Sequence, residues 1–478
     1  PLDIVKQPSF RQLVEGPNTK VMTRKTLTKT MRTRIMACLA DIKSICTTAD
    51  IWTAHNKSFF GMTCHWIDPT FLQRVSAALA CTKHTFDVIA SLIDDVHTSF
   101  SLGDKVVRTV SDNGSNFAKA FKEYGFQKEE DEETAEVDQK FGLISDVIDQ
   151  PFQLLKHQHC TAHTLNLLAT CDIYKYLSCT SISAVYHSSI AKCSALWNRA
   201  NNANRKLIVL CVTRWNSFYN TIESIISIKH LSIVCNEMGV AKFKMHEITF
   251  FKEYCKVLKP LAMALDILQG ENKYLVPTLL KLMDHLQHSK ADLKVATSLP
   301  DAIITSTHKQ FALLLDGTEG KPSQEAMLTA VTLPMFKLWW LLEDKYKHAK
   351  MAVHEEARKI SSEAGTTLPL QQQESAVVCT VSSYDNFFYY HQPAPQAVDV
   401  IADELNKFLY DSNISLACVS KYPNVREVFL KYNATIPLSA PVERLLSLDT
   451  RVFAPRWKRL SDERVEELIL LRYNKDFL

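Results

Sequence analysis

Apolar and polar positions alternate in short runs through the first quarter of the chain and recur at helical spacing through most of the rest. The runs rich in β-branched and aromatic residues predict strands over 47–52, 58–67, 71–81 and 105–110. Helical spacing predicts helices over 84–100 and 115–124, on either side of the fourth strand. Three strands, a helix, a strand and a helix form the opening of many α/β folds, the RNase H-like fold among them.

The chain beyond this block is predicted to be helical. From about 172 to 350 nearly every segment has a 3.6-residue period, as in Phe250-Tyr254-Leu258. A polar, proline-bearing stretch over 361–397 predicts a flexible linker or loop. Helical patterns resume at 400–409 and at 465–473, so we expect helix to dominate the protein.

A basic segment precedes the first strand. It contains six cations and no acidic residue: Lys20, Arg24, Lys25, Lys29, Arg32 and Arg34. Apolar residues recur among them at helical spacing, which predicts an amphipathic helix within 18–40. Two interpretations stay open for its basic face, a solvated surface or a set of contacts to DNA phosphates.

Composition excludes few functions. The 478 residues are too many for one ordinary core, and a net charge of +3 is too small to indicate nucleic acid by itself. The 13 cysteines include no Cys-x-x-Cys pair, and no signal peptide or long apolar run occurs. We therefore expect reduced thiols inside a cell and no membrane partner. Because the chain starts with Pro1, we also expect further coding sequence upstream.

Two aspartates are candidates for metal chemistry. Asp50 is placed toward the end of the first predicted strand, and Asp112 follows the fourth. Carboxylates at adjacent strand ends can share divalent cations such as Mg²⁺. Taken alone, aspartates near turns are more often turn-forming residues.

Five motifs in order along the chain resemble those of hAT-superfamily DNA transposases, the hobo/Activator group. They are Thr48-Ala49-Asp50-Ile51-Trp52-Thr53 with the following 60–67, Val110-Ser111-Asp112-Asn113-Gly114-Ser115-Asn116, Cys160-Thr161-Ala162-His163, Thr213-Arg214-Trp215-Asn216-Ser217, and Pro437-Leu438-Ser439-Ala440-Pro441-Val442-Glu443-Arg444. In subgroup detail, including an acidic run over 128–138, the chain looks closest to the Tol-type elements of fish.

This resemblance implies an RNase H-like catalytic core interrupted by a large all-helical insertion. Asp50, Asp112 and Glu443 would be the catalytic residues and the ligands of Mg²⁺ or Mn²⁺, with Glu443 on a helix beside the sheet. The expected divisions are a basic N-terminal segment over 1–45, core over 46–171, insertion over 172–430, and core with a dimerisation region over 431–478. Double-stranded DNA and a second copy of the chain would be the partners, in the nucleus, with no small-molecule substrate.

Further residues gain a meaning from the resemblance. Arg214 and Trp215 would contact DNA, with Trp215 supporting a flipped base; a buried structural tryptophan is the equal alternative. Cys160 and His163 are expected to position residues near the active site rather than to bind zinc, because structural zinc usually needs four ligands at set spacing. The BED-type zinc finger of the family is missing from this chain, so no zinc is expected in it.

Two functions remain open at this level. The first is a transposase that cleaves and joins DNA; the second is a domesticated, non-cutting regulator that binds DNA or chromatin as a dimer. Retention of all three acidic residues favours the first, whereas Leu448-Asp449-Thr450 replaces a small-residue pair usual in the family. A general RNase H-like nuclease would explain neither the insertion nor the C-terminal motif.

Overall fold

The computed structural model describes residues 22–54, 57–83, 89–124, 154, 156–202, 215–269, 275–315, 323–363, 399–452 and 461–478. The strands are β1 (Ile45–Ala54), β2 (Lys57–Ile67), β3 (Arg74–Lys83), β4 (Val106–Ser111) and β5 (His157–His159). The helices beside them in sequence are α1 (Arg24–Ala40), α2 (Ile89–Ser99), α3 (Ser115–Tyr124) and α4 (Thr161–Leu167). The helices that follow are α5 (Ile173–Cys179), α6 (Ser183–Asn202), α7 (Trp215–Ile226), α8 (Leu231–Glu237), α9 (Met245–Gln269), α10 (Leu275–Ser289), α11 (Leu299–Gln310), α12 (Ala312–Leu315), α13 (Gln324–Val331), α14 (Tyr346–Glu363), α15 (Val400–Tyr410), α16 (Pro423–Tyr432), α17 (Ala440–Val452) and α18 (Asp462–Tyr473).

The five strands form one mixed sheet in the order β3-β2-β1-β4-β5. The first three strands pair antiparallel, whereas β4 runs parallel to both β1 and β5. The parallel neighbours β1 and β4 need a crossover connection, and α2, which lies between β3 and β4 in sequence, is part of it. The prediction of a helix-rich protein is confirmed, and the structure adds to it one small mixed sheet.

Helices cover both faces of the sheet. On one face, α1, α17 and α18 pack on β1–β3 through a core that includes Ile35, Trp66 and Leu446. On the other face, α2 and α3 enclose Phe60 and Phe117. The strands therefore contribute buried side chains to two separate cores.

The chain divides into two compact units. The first, Pro1–Ser323 with Asn433–Leu478, contains the sheet and a helical group in which α9 packs against α4, α6, α7 and α10. The second unit, Gln324–Tyr432, consists of α13–α16 and encloses an ion pair between Lys431 and the buried Glu356 at 2.8 Å. The boundaries 172 and 430 of the expected insertion stay predictions.

Three sequence-based assignments need correction or completion. The third strand begins at Arg74 rather than Phe71, because 68–73 form a turn in which Leu72 has a φ of 52°. The fourth strand is shifted by one residue, since Lys105 ends a short 3-10 helix. β5 was not predicted; three residues are too few to give a pattern. The 361–397 linker lies almost entirely outside the described residues.

None of the described helices is long and apolar enough to cross a membrane. The described cysteines are free thiols, and most are buried.

The outer edge of β3 is closed by the C-terminal helix of the same chain. The side-chain amide of Asn474, just after α18, donates to the carbonyl of Ala78 and accepts from its N–H, both at 2.8 Å. Asn474 therefore replaces a neighbouring strand at this point of the edge. Val465, Ile469 and Leu471 of α18 are buried in the same core.

Asn474→Ala should lower the free energy of unfolding by about 1–3 kcal/mol, because it leaves two backbone groups of Ala78 buried without partners. Urea denaturation measures the change. Asn236→Ala, at an exposed position of α8, is the control and should change it by less than about 0.5 kcal/mol. Equal effects of the two substitutions would show that Asn474 does not secure the edge.

Candidate active site

Asp50 and Asp112 lie side by side on the parallel pair β1–β4. Ala49 is in register with Ser111, and each aspartate is the next residue of its chain. The sequence pattern had placed Asp50 toward the end of its strand. In the structure β1 instead continues to Ala54 by pairing with β2. It lies where β4 ends and β1 extends past it.

Glu443 comes to the same region from the far end of the sequence. It occupies the first turn of α17, whose Val442, Leu445 and Leu446 are buried on β1–β3, while Glu443 itself is exposed. Its Oε1 accepts a hydrogen bond at 3.2 Å from Ser439, the residue that precedes the helix.

Gly61 of β2 permits this close packing. It is paired with Asp50 in the β1–β2 register. A Cβ at this position would lie 2.9 Å from side-chain carbons of both Val442 and Leu446. Real Cβ atoms do not come so close to their neighbours, so any larger residue would push aside the side chains of Val442 and Leu446 that pack beside Asp50.

Burial and the charges of Asp112 and Glu443 act on the Asp50 carboxyl. Burial and then the negative charge of Asp112 raise the pKa of Asp50 to about 7; the N–H of Ile51 lowers it and the charge of Glu443 raises it. Like charges disfavour ionisation of a neighbouring carboxyl. The surroundings of Asp50 thus oppose its negative charge.

Each carboxylate is held by a donor from its own segment. Oδ1 of Asp50 accepts from the N–H of Ile51 at 2.8 Å, and Oδ1 of Asp112 from the N–H of Gly114 at 3.0 Å. A Cβ on Gly114 would lie 2.8 Å from that same Asp112 oxygen, so a larger residue would displace the carboxylate from its hydrogen bond. Among the described residues, no three His, Cys, Asp or Glu side chains are grouped closely enough to hold one metal ion.

Cys160 joins the two segments that carry Asp112 and Glu443. Its N–H donates to the carbonyl of Ser111 at 2.7 Å, and its Sγ accepts from the N–H of Ser439 at 3.3 Å. Burial raises the pKa of the thiol, which keeps it protonated. His163, one turn into α4, is half-buried.

The structure also identifies residues that sequence reasoning did not single out. Asn113 donates from Nδ2 to Thr164 at 3.3 Å, and its Oδ1 is buried without a hydrogen-bond partner among the described residues. Ser439 is fully buried. Both lie inside the motifs quoted above, and a serine four positions before Glu443 was the available signal for a helix-start contact.

Three arginines of the basic helix α1 contact other parts of the same chain. Arg24 forms an ion pair with Glu467, Arg32 donates to the carbonyl of Ser99 and lies over the Phe100 ring, and Arg34 donates to the carbonyl of Phe477. Lys25 and Lys29 are exposed. Lys20 lies outside the described residues.

The remaining predicted DNA contacts cannot be placed. Arg214 lies outside the described residues, and Trp215 is described only as the first backbone position of α7.

No family model matches the chain, and no curated protein matches it significantly.

Gly61→Ala should lower the free energy of unfolding by about 1–3 kcal/mol, because the new methyl group overlaps two side chains of α17. Adding Leu446→Ala should make the loss less than the sum of the two single effects, since the truncation gives the methyl group room. Urea denaturation of the four proteins measures this coupling. Strict additivity would show that α17 does not press on Gly61.

Asp50→Asn should stabilise the protein at pH 8 more than at pH 5, in the absence of divalent metal. Folded Asp50 keeps its proton up to about pH 7, whereas an unfolded carboxyl releases it near pH ~3.9. The folded state therefore binds more protons in this window, and the free energy of unfolding falls as pH rises through it. Asparagine removes that fall; the same stability difference at both pH values would contradict the account.

Proposed function

We propose that this chain is the catalytic region of a hAT-type DNA transposase, in which Asp50, Asp112 and Glu443 hold divalent metal ions for DNA strand cleavage and transfer. The observation that carries the proposal is geometric: the residues before Asp50 and Asp112 are in register on β1 and β4, and α17, which carries Glu443, packs against Gly61, the register partner of Asp50. Burial and then the charges of Asp112 and Glu443 raise the pKa of Asp50, as expected for a carboxyl close to other carboxylates.

The sheet gives independent support. The order β3-β2-β1-β4-β5, with only β1, β4 and β5 parallel, is the arrangement expected of an RNase H-like core. In that arrangement the two central parallel strands carry the aspartates, and a helix late in the sequence carries the glutamate.

The residues fit Mg²⁺ or Mn²⁺ by their chemistry. All three candidate ligands are carboxylates, the oxygen donors that hard divalent cations prefer. The buried amide oxygen of Asn113, directly after Asp112, has no partner among the described residues and adds a neutral oxygen to this edge. A bound cation would also offset the repulsion that raises the pKa of Asp50.

In this function the protein supplies positioning and charge. Asp50 and Asp112 would bind the metal ions from the paired strands β1 and β4. Glu443 would bind them from α17. Divalent cations bound in such a site polarise the phosphodiester and activate water as its nucleophile. Burial of Asp50 strengthens these interactions by reducing the local dielectric.

Partners follow from the same proposal. Double-stranded DNA would be the substrate in the nucleus, and two DNA ends would require two copies of the chain. The buried apolar residues of α18 close the core of their own chain, so a dimer would have to use other surfaces.

Asp50→Asn, Asp112→Asn and Glu443→Gln should each reduce Mg²⁺-dependent nicking of supercoiled plasmid to background, while DNA binding persists. Asp104→Asn is the matched control, since Asp104 is an exposed carboxylate near the opposite end of β4. Agarose-gel nicking assays with the full chain measure the effect. Nicking equal to that of the parent protein in all three variants would exclude the proposed site, and DNA binding without nicking by the parent protein would favour a non-cutting regulator.

Lys25→Glu with Lys29→Glu should weaken binding to any duplex equally and flatten its salt dependence. Each phosphate contact contributes about 0.9 to the slope of log K against log salt. These two lysines are better probes than Arg24, whose reversal would place a carboxylate beside Glu467.

The matched control is Lys175→Glu with Lys309→Glu, which makes the same charge change at exposed positions of α5 and α11. Fluorescence anisotropy over a salt series measures both pairs. Equal slopes for the two double variants would show that α1 contributes only general charge.

A further inference from the structure

We propose that Ser439 is a positioning residue for Glu443 and that Cys160 ties it to the strand of Asp112. The inference rests on the proposed function, because it assigns these residues to the assembly of the carboxylate site. Asn113, Cys160, Thr164 and Ser439 are together called the Cys160 bracket.

The first half of the bracket runs from Cys160 to Glu443. The buried backbone N–H of Ser439 donates to Sγ of Cys160 at 3.3 Å, and the Ser439 hydroxyl donates to Oε1 of Glu443 at 3.2 Å. In a second hydrogen bond between the same two segments, the N–H of Thr161 donates to the carbonyl of Pro437 at 2.8 Å. The start of α17 is therefore attached to the start of α4 at two points.

The second half runs from Cys160 to Asp112. The N–H of Cys160 donates to Ser111, and its carbonyl accepts from the Thr164 hydroxyl at 3.1 Å. That hydroxyl has only one hydrogen, so it accepts from Nδ2 of Asn113. This assignment turns the Asn113 oxygen away from Thr164 and fixes the residue that follows Asp112.

The bracket has a physical task because apolar packing does not orient the Glu443 carboxylate. Glu443 is exposed and follows the buried Val442, so packing fixes the helix but leaves the carboxylate free to rotate. The fully buried Ser439 offers a hydroxyl whose place is set by Cys160. Hydrogen bonds to ligands of this kind typically change metal affinity by about 10- to 100-fold when removed.

The test is Mn²⁺ affinity, measured by electron paramagnetic resonance of free Mn²⁺ with the full chain. Ser439→Ala should weaken binding about 10- to 100-fold, and Ser439→Thr, which keeps the hydroxyl, should restore it. Cys160→Ala should also weaken binding, because the Ser439 N–H loses its acceptor. Thermal unfolding of each variant identifies any that has lost its fold, and the Ser439→Thr rescue decides the matter if Cys160→Ala does not fold.

Ser461→Ala is the matched control, since Ser461 also immediately precedes a helix but is exposed at the start of α18; its Mn²⁺ affinity should equal that of the parent protein. Unchanged affinity in Ser439→Ala, with binding abolished in Asp50→Ala, would overturn the positioning role and leave the proposed function intact. Absence of any Asp50-dependent Mn²⁺ binding in the parent protein would overturn both.

Discussion

The contact of α17 with β2 at Gly61 is the constraint on which the site depends. Glu443 belongs to a segment remote in sequence from Asp50, and only tertiary packing can bring the two together. The absence of a side chain at Gly61 lets Val442 and Leu446 approach the sheet, and the same approach carries Glu443 to the face of Asp50. The burial of those two apolar residues stabilises an arrangement that the three negative charges oppose.

That opposition is the second physical feature of the site. A folded protein gains nothing from burying Asp50 near Asp112 and Glu443, since desolvation and like charge both raise its pKa. Strained or electrostatically unfavourable groups cluster at functional sites, where a ligand relieves them. Under the proposed function a divalent cation would be that ligand, because its charge and preference for oxygen match this group.

Sequence patterns predicted the local structure well where the pattern was long. The strands around Asp50 and Asp112 follow from alternation, and the long helices α9 and α10 follow from their apolar period. The patterns failed where tertiary contacts decide: β5 is a strand only because β4 lies beside it, and the true start of β3 depends on the turn at Leu72.

The candidate site shows the same division. Placing Glu443 required motif resemblance, because no local pattern relates it to residues so far away. The count of cations in α1 could not reveal that Arg24, Arg32 and Arg34 have partners within the chain. The link from Ser439 to Cys160 is likewise a tertiary hydrogen bond, invisible until the two segments are placed together.

The most direct measurement of the central claim is the location of Mn²⁺ in crystals of the protein, from its anomalous scattering. The account predicts manganese bound directly by oxygen atoms of Asp50 and Asp112, at distances close to the about 2.0–2.1 Å of Mg²⁺–oxygen bonds, and with Glu443 facing the same ions. Manganese bound elsewhere, with Asp50 and Asp112 making no contact to it, would contradict the account.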